Sequence, residues 1–470
     1  MNVDYILKKF KQFSYGQFLV FGIGLLTVPI LTRVVTPEDM GKYSLFDTIS
    51  QLAYAMVILG LDQSFIRFYN EENEKGKSKL LRICTIISTF VLIIIALIGM
   101  IFYKKISYFI VGKESFTIYI LLVFQVFLLV LYRFTTSQIR MSQKAFLFSF
   151  LQTLQRLCFI IVAYLFFLKT STNYFILICG CILSYLVTII WGILSERKIW
   201  RMHSTQKMQS SLRDILIYGI PFIFTSALTW LFQSIDKIMI NAYWDYYEVG
   251  IYSGAMNIVK LLNIFQSAFV ISWVPLVYEY RKKNPNDTSF YVIANRIVSY
   301  IMIMLATILI LFKDVIIKFL GSEYSQAVGI FPFLLLMPIM YTISETTSLG
   351  INFSKKTYYH VIISAVAAIC NILLNVILVP KYGAIGAAIA TGISYFVFFI
   401  LRTIISNKLF KVEYKLFSFI GSIIIMYIYC FYASFWSDGW LFYIIGLATM
   451  LFYTIIFRDV INLGWRYIKK

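Results

Sequence analysis

One long apolar segment in the second half of the chain carries a stripe of polar side chains. The stripe consists of Ser253, Asn257, Lys260, Asn263 and Ser267. Intervals of three and four residues place these side chains on one face of a helix. An ammonium in the middle of a bilayer costs ~2.5–3.5 kcal/mol when it faces lipid, so we expect Lys260 to face the protein interior. There it would either bind an anionic group such as a phosphate or pair with a buried acid, for which Asp62 and Glu345 are candidates.

Basic and amide side chains interrupt two further apolar segments. Ser149, Gln152 and Arg156 share one helix face, and Arg33 closes the first apolar segment. Arg156 would either contact an anionic ligand or extend its long side chain to the membrane interface. Arg33 would either contact such a ligand or anchor its helix at the interface, beside the acidic turn that follows it.

Three acidic residues fall within or at the end of apolar segments: Asp62, Asp236 and Glu345. A carboxylate buried at this depth can bind a proton or a sodium ion, or it can pair with a cation and join two helices. Asn371 and Asn375 form a further polar pair, one turn apart, in a later segment. With only two histidines and with all six cysteines in apolar runs, a histidine-based catalytic or zinc site is not expected.

The composition requires lipid rather than water around much of this chain. Of its 470 residues, 60% are hydrophobic and 14% are charged, and the mean hydropathy is +0.80. Soluble domains usually contain about 25% charged residues. The net charge of +20 is spread over the stretches between apolar runs instead of forming one patch. This distribution is typical of a membrane protein and argues against nucleic acid as a partner.

Fourteen apolar segments are long enough to cross a bilayer, which takes about 20 helical residues. They lie at 13–35, 43–65, 81–103, 116–134, 145–168, 174–195, 215–235, 250–275, 290–312, 327–349, 358–379, 384–401, 416–434 and 440–457. With the N-terminus in the cytoplasm, 29 of the 42 lysines and arginines fall on the cytoplasmic side and 10 on the opposite side. This asymmetry predicts a multi-pass protein of the cytoplasmic (inner) membrane with both termini in the cytoplasm.

A short motif recurs in the two halves of the chain. In each half a helix and an acidic turn precede Gly-x-Tyr-Ser, at Gly41–Ser44 and again at Gly250–Ser253. We therefore predict an all-α membrane protein with two six-helix lobes, 1–205 and 206–411, and two additional C-terminal helices in 412–470. Repeats of this kind are typical of transporters whose substrate path lies between the halves.

The first loop and the twelfth segment carry motifs that resemble a known family. Residues 29–43 read PILTRVVTPEDMGKY, with Thr-Arg, then Pro-Glu, then Gly-x-Tyr. Leu59-Gly60-Leu61 ends the second segment, and KYGAIGAAIAT begins at Lys381. Together with the length and the helix count, these motifs resemble the polysaccharide-type flippases of the multidrug/oligosaccharidyl-lipid/polysaccharide exporter superfamily.

The resemblance implies a V-shaped carrier that works by alternating access and is not an enzyme. Its cargo would be undecaprenyl-pyrophosphate-linked oligosaccharide repeat units, moved across the cytoplasmic membrane for capsule, O-antigen or exopolysaccharide synthesis. The substrate-binding candidates are Lys260, Arg156, Arg33, Asn257, Asn263 and Gln152, and the ion-coupling candidates are Glu345, Asp62 and Asp236. No cofactor is expected, and a proton or sodium gradient or the membrane potential would drive transport. The expected partners are the lipid-linked oligosaccharide, membrane lipids and other polysaccharide-assembly proteins.

Two other interpretations stay open. A peptidoglycan-precursor flippase or a small-molecule extruder of the same superfamily would share this architecture, although the first-loop pattern favours the polysaccharide branch. A membrane polysaccharide polymerase would need paired acids or a basic motif on a large external loop, and the predicted outer loops are short. The sequence carries no nucleotide-binding motif, which argues against an ATP-driven pump.

Overall fold

The computed structural model describes residues 22–167, 173–202, 208–285, 287–414, 416–436 and 439–462. Within these ranges every regular element is a helix. The chain divides into two compact units, Met1–Ser234 and Ile235–Lys470, with the boundary inside one helix. The predicted lobe boundary at 205/206 lies outside the described residues, and the division into two six-helix lobes stays a prediction.

The first unit is built from helices that follow one another along the chain. They are α1 (Gly22–Val34), α2 (Pro37–Val57), α3 (Leu61–Phe68), α4 (Glu74–Ile101), α5 (Tyr103–Val111), α6 (Phe116–Met141), α7 (Ala145–Phe167), α8 (Tyr174–Ser195), α9 (Arg197–Arg201) and the first part of α10 (Leu212–Tyr243). Thr36 begins α2, because its hydroxyl accepts a hydrogen bond from the Asp39 backbone N–H and Pro37 fits the first helical position.

The second unit contains the rest of α10 and the helices that follow it. These are α11 (Tyr246–Lys283), α12 (Ser289–Leu311), α13 (Lys313–Lys318), a 3₁₀ turn (Ser322–Tyr324), α14 (Ala327–Thr347), α15 (Leu349–Phe353), α16 (Tyr358–Leu409), α17 (Leu416–Phe435) and α18 (Trp440–Ile456). The 52-residue α16 is two helices joined at Gly383, whose φ of 54° and ψ of −134° are not helical. Near this break the Trp244 indole N–H donates to the Val379 carbonyl at 2.7 Å, and the Ala384 N–H donates to Glu248 at 3.1 Å.

A helix lies at each of the fourteen predicted spans within the described ranges. Nine of the described helices are long and apolar enough to cross a bilayer, and the α2–α3 pair, bent by 55°, makes ten. Helices α1 and α18 are apolar but shorter. The protein is therefore a multi-pass membrane protein, and the number of fourteen crossings stays a prediction.

Turns that the charge pattern places on one side of the membrane meet at one end of each unit. In the first unit, Ser78 in α4 donates to the Ile199 carbonyl in α9 at 2.6 Å. In the second, the Arg281 guanidinium stacks between the rings of Phe353 and Phe410, 3.9 and 4.6 Å from their centroids. The prediction that these ends face the cytoplasm is not tested by the contacts.

Candidate functional site

A buried carboxylate near the end of α10 accepts hydrogen bonds from three other segments of the second unit. Asp236 is only 2% exposed. Its two oxygens accept from the Tyr252 hydroxyl at 2.5 Å, the Thr391 hydroxyl at 2.5 Å and the Asn375 amide at 2.8 Å. Tyr252 lies in α11, whereas Asn375 and Thr391 lie on either side of the Gly383 break in α16.

The turn after α10 and the break in α16 position these side chains. Asp245 caps α11, because its carboxylate accepts from the Glu248 backbone N–H at 2.9 Å. This sharp turn lets Tyr252 reach back to Asp236, 16 positions earlier in the chain. The break at Gly383 folds the second half of α16 against the first, so that Thr391 comes within hydrogen-bond distance of the Asn371 amide, at 3.2 Å.

Amide oxygens complete the surroundings of Asp236. The side-chain oxygen of Asn371 accepts from Asn375 at 3.2 Å. The side-chain oxygen of Asn375 is buried and receives no hydrogen bond from any residue that the structure describes. Most buried acceptors have a donor, so this oxygen beside a carboxylate is available to a positively charged ligand. We call Asp236, Tyr252, Asn371, Asn375 and Thr391 the Asp236 cluster.

The other two candidate acids form ion pairs with arginines. Asp62, in α3, accepts from the Arg133 guanidinium at 2.6 and 2.9 Å. Glu345, in α14, accepts from Arg402 at 2.8 Å, and both side chains are at least nine-tenths buried. Within the described part of the chain, Asp236 has no Lys, Arg or His within ion-pair distance. Asp236 therefore differs from the other two acids in lacking a fixed counter-charge. Burying a carboxylate without a counter-charge costs free energy.

The residues of the predicted cargo-contact stripe all belong to α11, and the inward orientation expected for Lys260 stays a prediction. Lys260 is exposed, Asn257 and Asn263 are half-buried, and all three belong to α11. The side-chain oxygen of Asn263 is buried without a donor among the described residues. In the first unit, α7 carries an exposed Arg156 and a half-buried Gln152.

Arg33 is exposed near the end of α1. In the second unit the candidate acids do not form one cluster, since Asp236 and Glu345 belong to separate hydrogen-bonded groups. The roles assigned to these nine residues stay predictions.

Several partners of the candidate acids are not evident from the sequence. The charge pattern counts Arg133 and Arg402 on the cytoplasmic side, at the ends of the predicted spans 116–134 and 384–401, whereas the structure places them within α6 and α16. In the sequence, Tyr252 belongs to the Gly-x-Tyr-Ser motif and Thr391 ends the KYGAIGAAIAT motif, and neither motif points to Asp236. The one available signal was the spacing of Asn371 and Asn375, which places two amides on one helix face.

Comparisons with known proteins agree with this architecture. A family model described as "Polysaccharide biosynthesis protein" matches residues 6–281, and the MatE model matches residues 221–377. The probable low-salt glycan biosynthesis flippase Agl15 of Haloferax volcanii is 20% identical over 84% of this chain and 83% of its own length. The capsular polysaccharide biosynthesis protein CapF of Staphylococcus aureus is 21% identical, over 83% of this chain and 97% of its own.

Solved structures show the same fold. The lipid II flippase MurJ in an inward closed conformation matches with a TM-score of 0.71 and 19% identity, over 96% of this chain and 99% of its own. An inward-facing multidrug resistance MATE transporter matches with a TM-score of 0.61 and 14% identity, over 83% of this chain and 93% of its own. Because the polysaccharide biosynthesis model covers more than half of the sequence, the chain belongs to that family, the polysaccharide-type flippases of the multidrug/oligosaccharidyl-lipid/polysaccharide exporter superfamily.

Proposed function

We propose that this chain moves undecaprenyl-pyrophosphate-linked oligosaccharide repeat units from the cytoplasmic to the outer leaflet, for capsule, O-antigen or exopolysaccharide synthesis. The observation that carries the proposal is the family match over residues 6–281. A pyrophosphate and a sugar cannot cross hydrocarbon alone, because each unsatisfied polar group costs several kcal/mol there. A carrier for such cargo needs cationic and amide side chains on apolar helices.

Lys260 is the proposed contact for the pyrophosphate. Its ammonium offers three donors to phosphate oxygens, and its exposure on α11 leaves it accessible to a ligand. Asn257 and Asn263 flank it on the same helix face and offer amides to the sugar hydroxyls. Arg156, Gln152 and Arg33 are the corresponding proposed contacts of the first unit.

The Asp236 cluster is the proposed site of the driving ion. A carboxylate, hydroxyls and amide oxygens are hard ligands of the kind that alkali and alkaline-earth cations prefer. A proton would satisfy a single carboxylate oxygen, whereas a sodium ion would also use the unoccupied oxygen of Asn375. The proposal therefore favours sodium, and proton coupling is the other outcome of the test.

Gene deletion followed by lipid analysis tests the cargo. We expect the deletion strain to accumulate the undecaprenyl-linked repeat unit on the cytoplasmic face, inaccessible to a glycosidase added outside intact cells. Repeat units that reach the outer face but are not elongated would identify a polymerase defect and contradict the proposal. Accumulation of a peptidoglycan precursor in place of the repeat unit would contradict the proposed identity of the cargo.

A further inference from the structure

A cavity of ≈ 470 Å³ opens in the first unit, away from the predicted cargo contacts. It is formed where three turns meet: the turn between α3 and α4, the turn between α6 and α7, and the junction of α8 with α9. The charge pattern predicts all three turns to lie on the cytoplasmic side, at the level of the lipid headgroups. The cavity walls are mostly polar, with Tyr69, Met141 and Ile199 as their larger apolar members.

Three lysines and two glutamates surround this cavity. Lys77 donates to Glu74 at 2.9 Å, and Lys144 pairs with Glu196, which is only 5% exposed. These four charges compensate one another. Lys198 is exposed and forms no ion pair with a residue that the structure describes. Lys198 lies near enough to Glu74 to interact with it electrostatically, so the three lysines and two glutamates leave the cavity lining with a net charge of +1, and the cavity opens to the surface.

Gln143 lines the cavity in a backbone conformation that favours glycine. Its φ is 58°, and the turn that follows α6 closes with bonds from the Gln143 N–H to the Arg140 carbonyl and from the Lys144 N–H to the Ile139 carbonyl. Glycine is the usual residue at this position of a helix end. A glutamine here places a polar side chain in the cavity lining, in a backbone conformation that glycine would adopt at lower cost.

We propose that this cavity binds the phosphate group of a lipid headgroup at the membrane surface. Lys198 supplies the charge, and the Gln143 amide and the Ser195 hydroxyl supply neutral donors. Helix α7 begins directly after Lys144, so its positive end also favours an anion there. The phosphate comes either from an anionic phospholipid or from a diphosphate-bearing lipid. Neither source requires that the chain transports the lipid.

Thermal unfolding of the purified full-length protein in detergent tests this site. The probes are phosphatidylglycerol, phosphatidylcholine as the zwitterionic control, and inorganic pyrophosphate. We expect phosphatidylglycerol or pyrophosphate, but not phosphatidylcholine, to raise the Tm of the unaltered protein. A shift with phosphatidylglycerol alone identifies a phospholipid site, and a shift with pyrophosphate alone identifies a diphosphate site.

Two variants with matched controls separate binding from folding. Lys198→Gln removes the excess positive charge of the lining, and Lys408→Gln removes another exposed lysine, in the other unit. Gln143→Gly relieves the left-handed backbone, and Lys355→Gly relieves the same conformation, φ 56°, away from the cavity. We expect both glycine variants to raise the Tm without ligand, whereas only Lys198→Gln and Gln143→Gly lose the ligand-induced shift. An unchanged shift in these two variants, an equal shift with phosphatidylcholine, or no shift with either anionic probe would overturn the proposal.

Discussion

At the scale of single residues, three buried acids differ in what balances their charge. Asp62 and Glu345 each face an arginine. Asp236 faces hydroxyl and amide donors and, in the described part of the chain, no basic side chain within ion-pair distance. Asp62 and Glu345 therefore have a fixed counter-charge in the structure, and Asp236 is the acid that we propose to exchange a cation during a transport cycle.

Asp236→Asn should abolish the dependence of transport on its driving ion. The asparagine amide keeps the size of the side chain but removes the charge. Its N–H group would face the hydroxyl and amide donors that bind the carboxylate in the unaltered protein. We expect the transport rate to fall about tenfold or more, which corresponds to about 1.4 kcal/mol or more, and to become insensitive to the sodium gradient. The control is Glu323→Gln, which removes an exposed acid in the same way. A sodium-dependent rate in Asp236→Asn would show that the ion binds elsewhere.

Lys260→Ala should abolish transport without unfolding the protein. The ammonium is exposed, so its removal leaves no buried cavity and the change in stability should stay within about 0.5 kcal/mol. Lys282→Ala, at an exposed position of the same helix, is the matched control. Complementation of a deletion strain, with size-exclusion profiles of both variants, measures the effect. Full complementation by Lys260→Ala would show that Lys260 is not the contact for the pyrophosphate.

At the scale of helices, ion pairs between helices stabilise each unit, fully buried in the second unit and partly buried in the first. Asp62 and Arg133 join α3 to α6 in the first unit, and Glu345 and Arg402 join α14 to α16 in the second. The Arg402 guanidinium also lies over the rings of Tyr341 and Phe398, 5.4 and 5.0 Å from their centroids. Such pairs are costly to break singly, since one charge is then left buried.

A double-mutant cycle should show that Glu345 and Arg402 act as a pair. Glu345→Gln and Arg402→Met should each destabilise the protein by roughly 3–5 kcal/mol, because each leaves its partner's charge uncompensated. The double variant should lose far less than the sum of the two. Unfolding monitored in detergent gives the three free-energy differences. Additive losses would mean that the two side chains do not interact in the folded protein.

Gly60→Ala should destabilise the first unit through both backbone and packing. Gly60 has a φ of 67°, and an added Cβ would lie 2.2 Å from the Gly219 carbonyl oxygen. The left-handed conformation alone costs roughly 1–2 kcal/mol for an alanine. Gly421, in the helical part of α17, has open space around it, so Gly421→Ala should instead stabilise by about 0.5–1 kcal/mol. Equal Tm changes in the two variants would contradict the close contact between Gly60 and Gly219.

The long helices and the break near Gly383, which falls between the predicted spans 358–379 and 384–401, were predictable from sequence, whereas the bend between α2 and α3 and the small helices were not. Runs of about 20 apolar residues locate each long helix, because every backbone polar group in lipid must be satisfied within its own helix. Helices α5 and α13 have only nine and six residues. Segments this short do not produce a hydropathy signal, so the prediction placed them in loops.

The surroundings of the candidate site were predictable only in part. Asp236 was identified from its type and its place at the end of an apolar segment. Its partners Asn375 and Thr391 lie 139 and 155 positions away in the chain. Helical periodicity relates residues three or four positions apart and carries no information on such contacts. The pairing of Asp62 and Glu345 with arginines was missed for the same reason.

At the scale of the whole molecule, the distribution of basic residues predicts the orientation in the membrane. Within each unit, turns that are predicted to lie on the same side of the membrane contact one another. Ser78 contacts Ile199 in the first unit, and Arg281 stacks between Phe353 and Phe410 in the second. This arrangement is consistent with alternating crossings. The orientation itself rests on the excess of lysine and arginine in cytoplasmic loops.

Labelling of introduced cysteines tests this orientation. In a variant whose six native cysteines are replaced, Glu114→Cys should react with a membrane-impermeant maleimide in intact cells. Lys282→Cys should react only after the membrane is permeabilised. Both positions are exposed in the structure, so a lack of reaction cannot come from burial in the fold. The reverse pattern would invert the predicted topology.

The central claim is that this single chain flips a lipid-linked oligosaccharide, and reconstitution measures it most directly. The purified full-length protein is placed in vesicles that contain an undecaprenyl-pyrophosphate-linked oligosaccharide, and cargo reaching the far leaflet is scored with a glycosidase on that side. We predict protein-dependent movement that increases with an imposed sodium gradient and is lost in Lys260→Ala but not in Lys282→Ala. Movement at the rate of protein-free vesicles, in a preparation shown to be folded, would contradict the account.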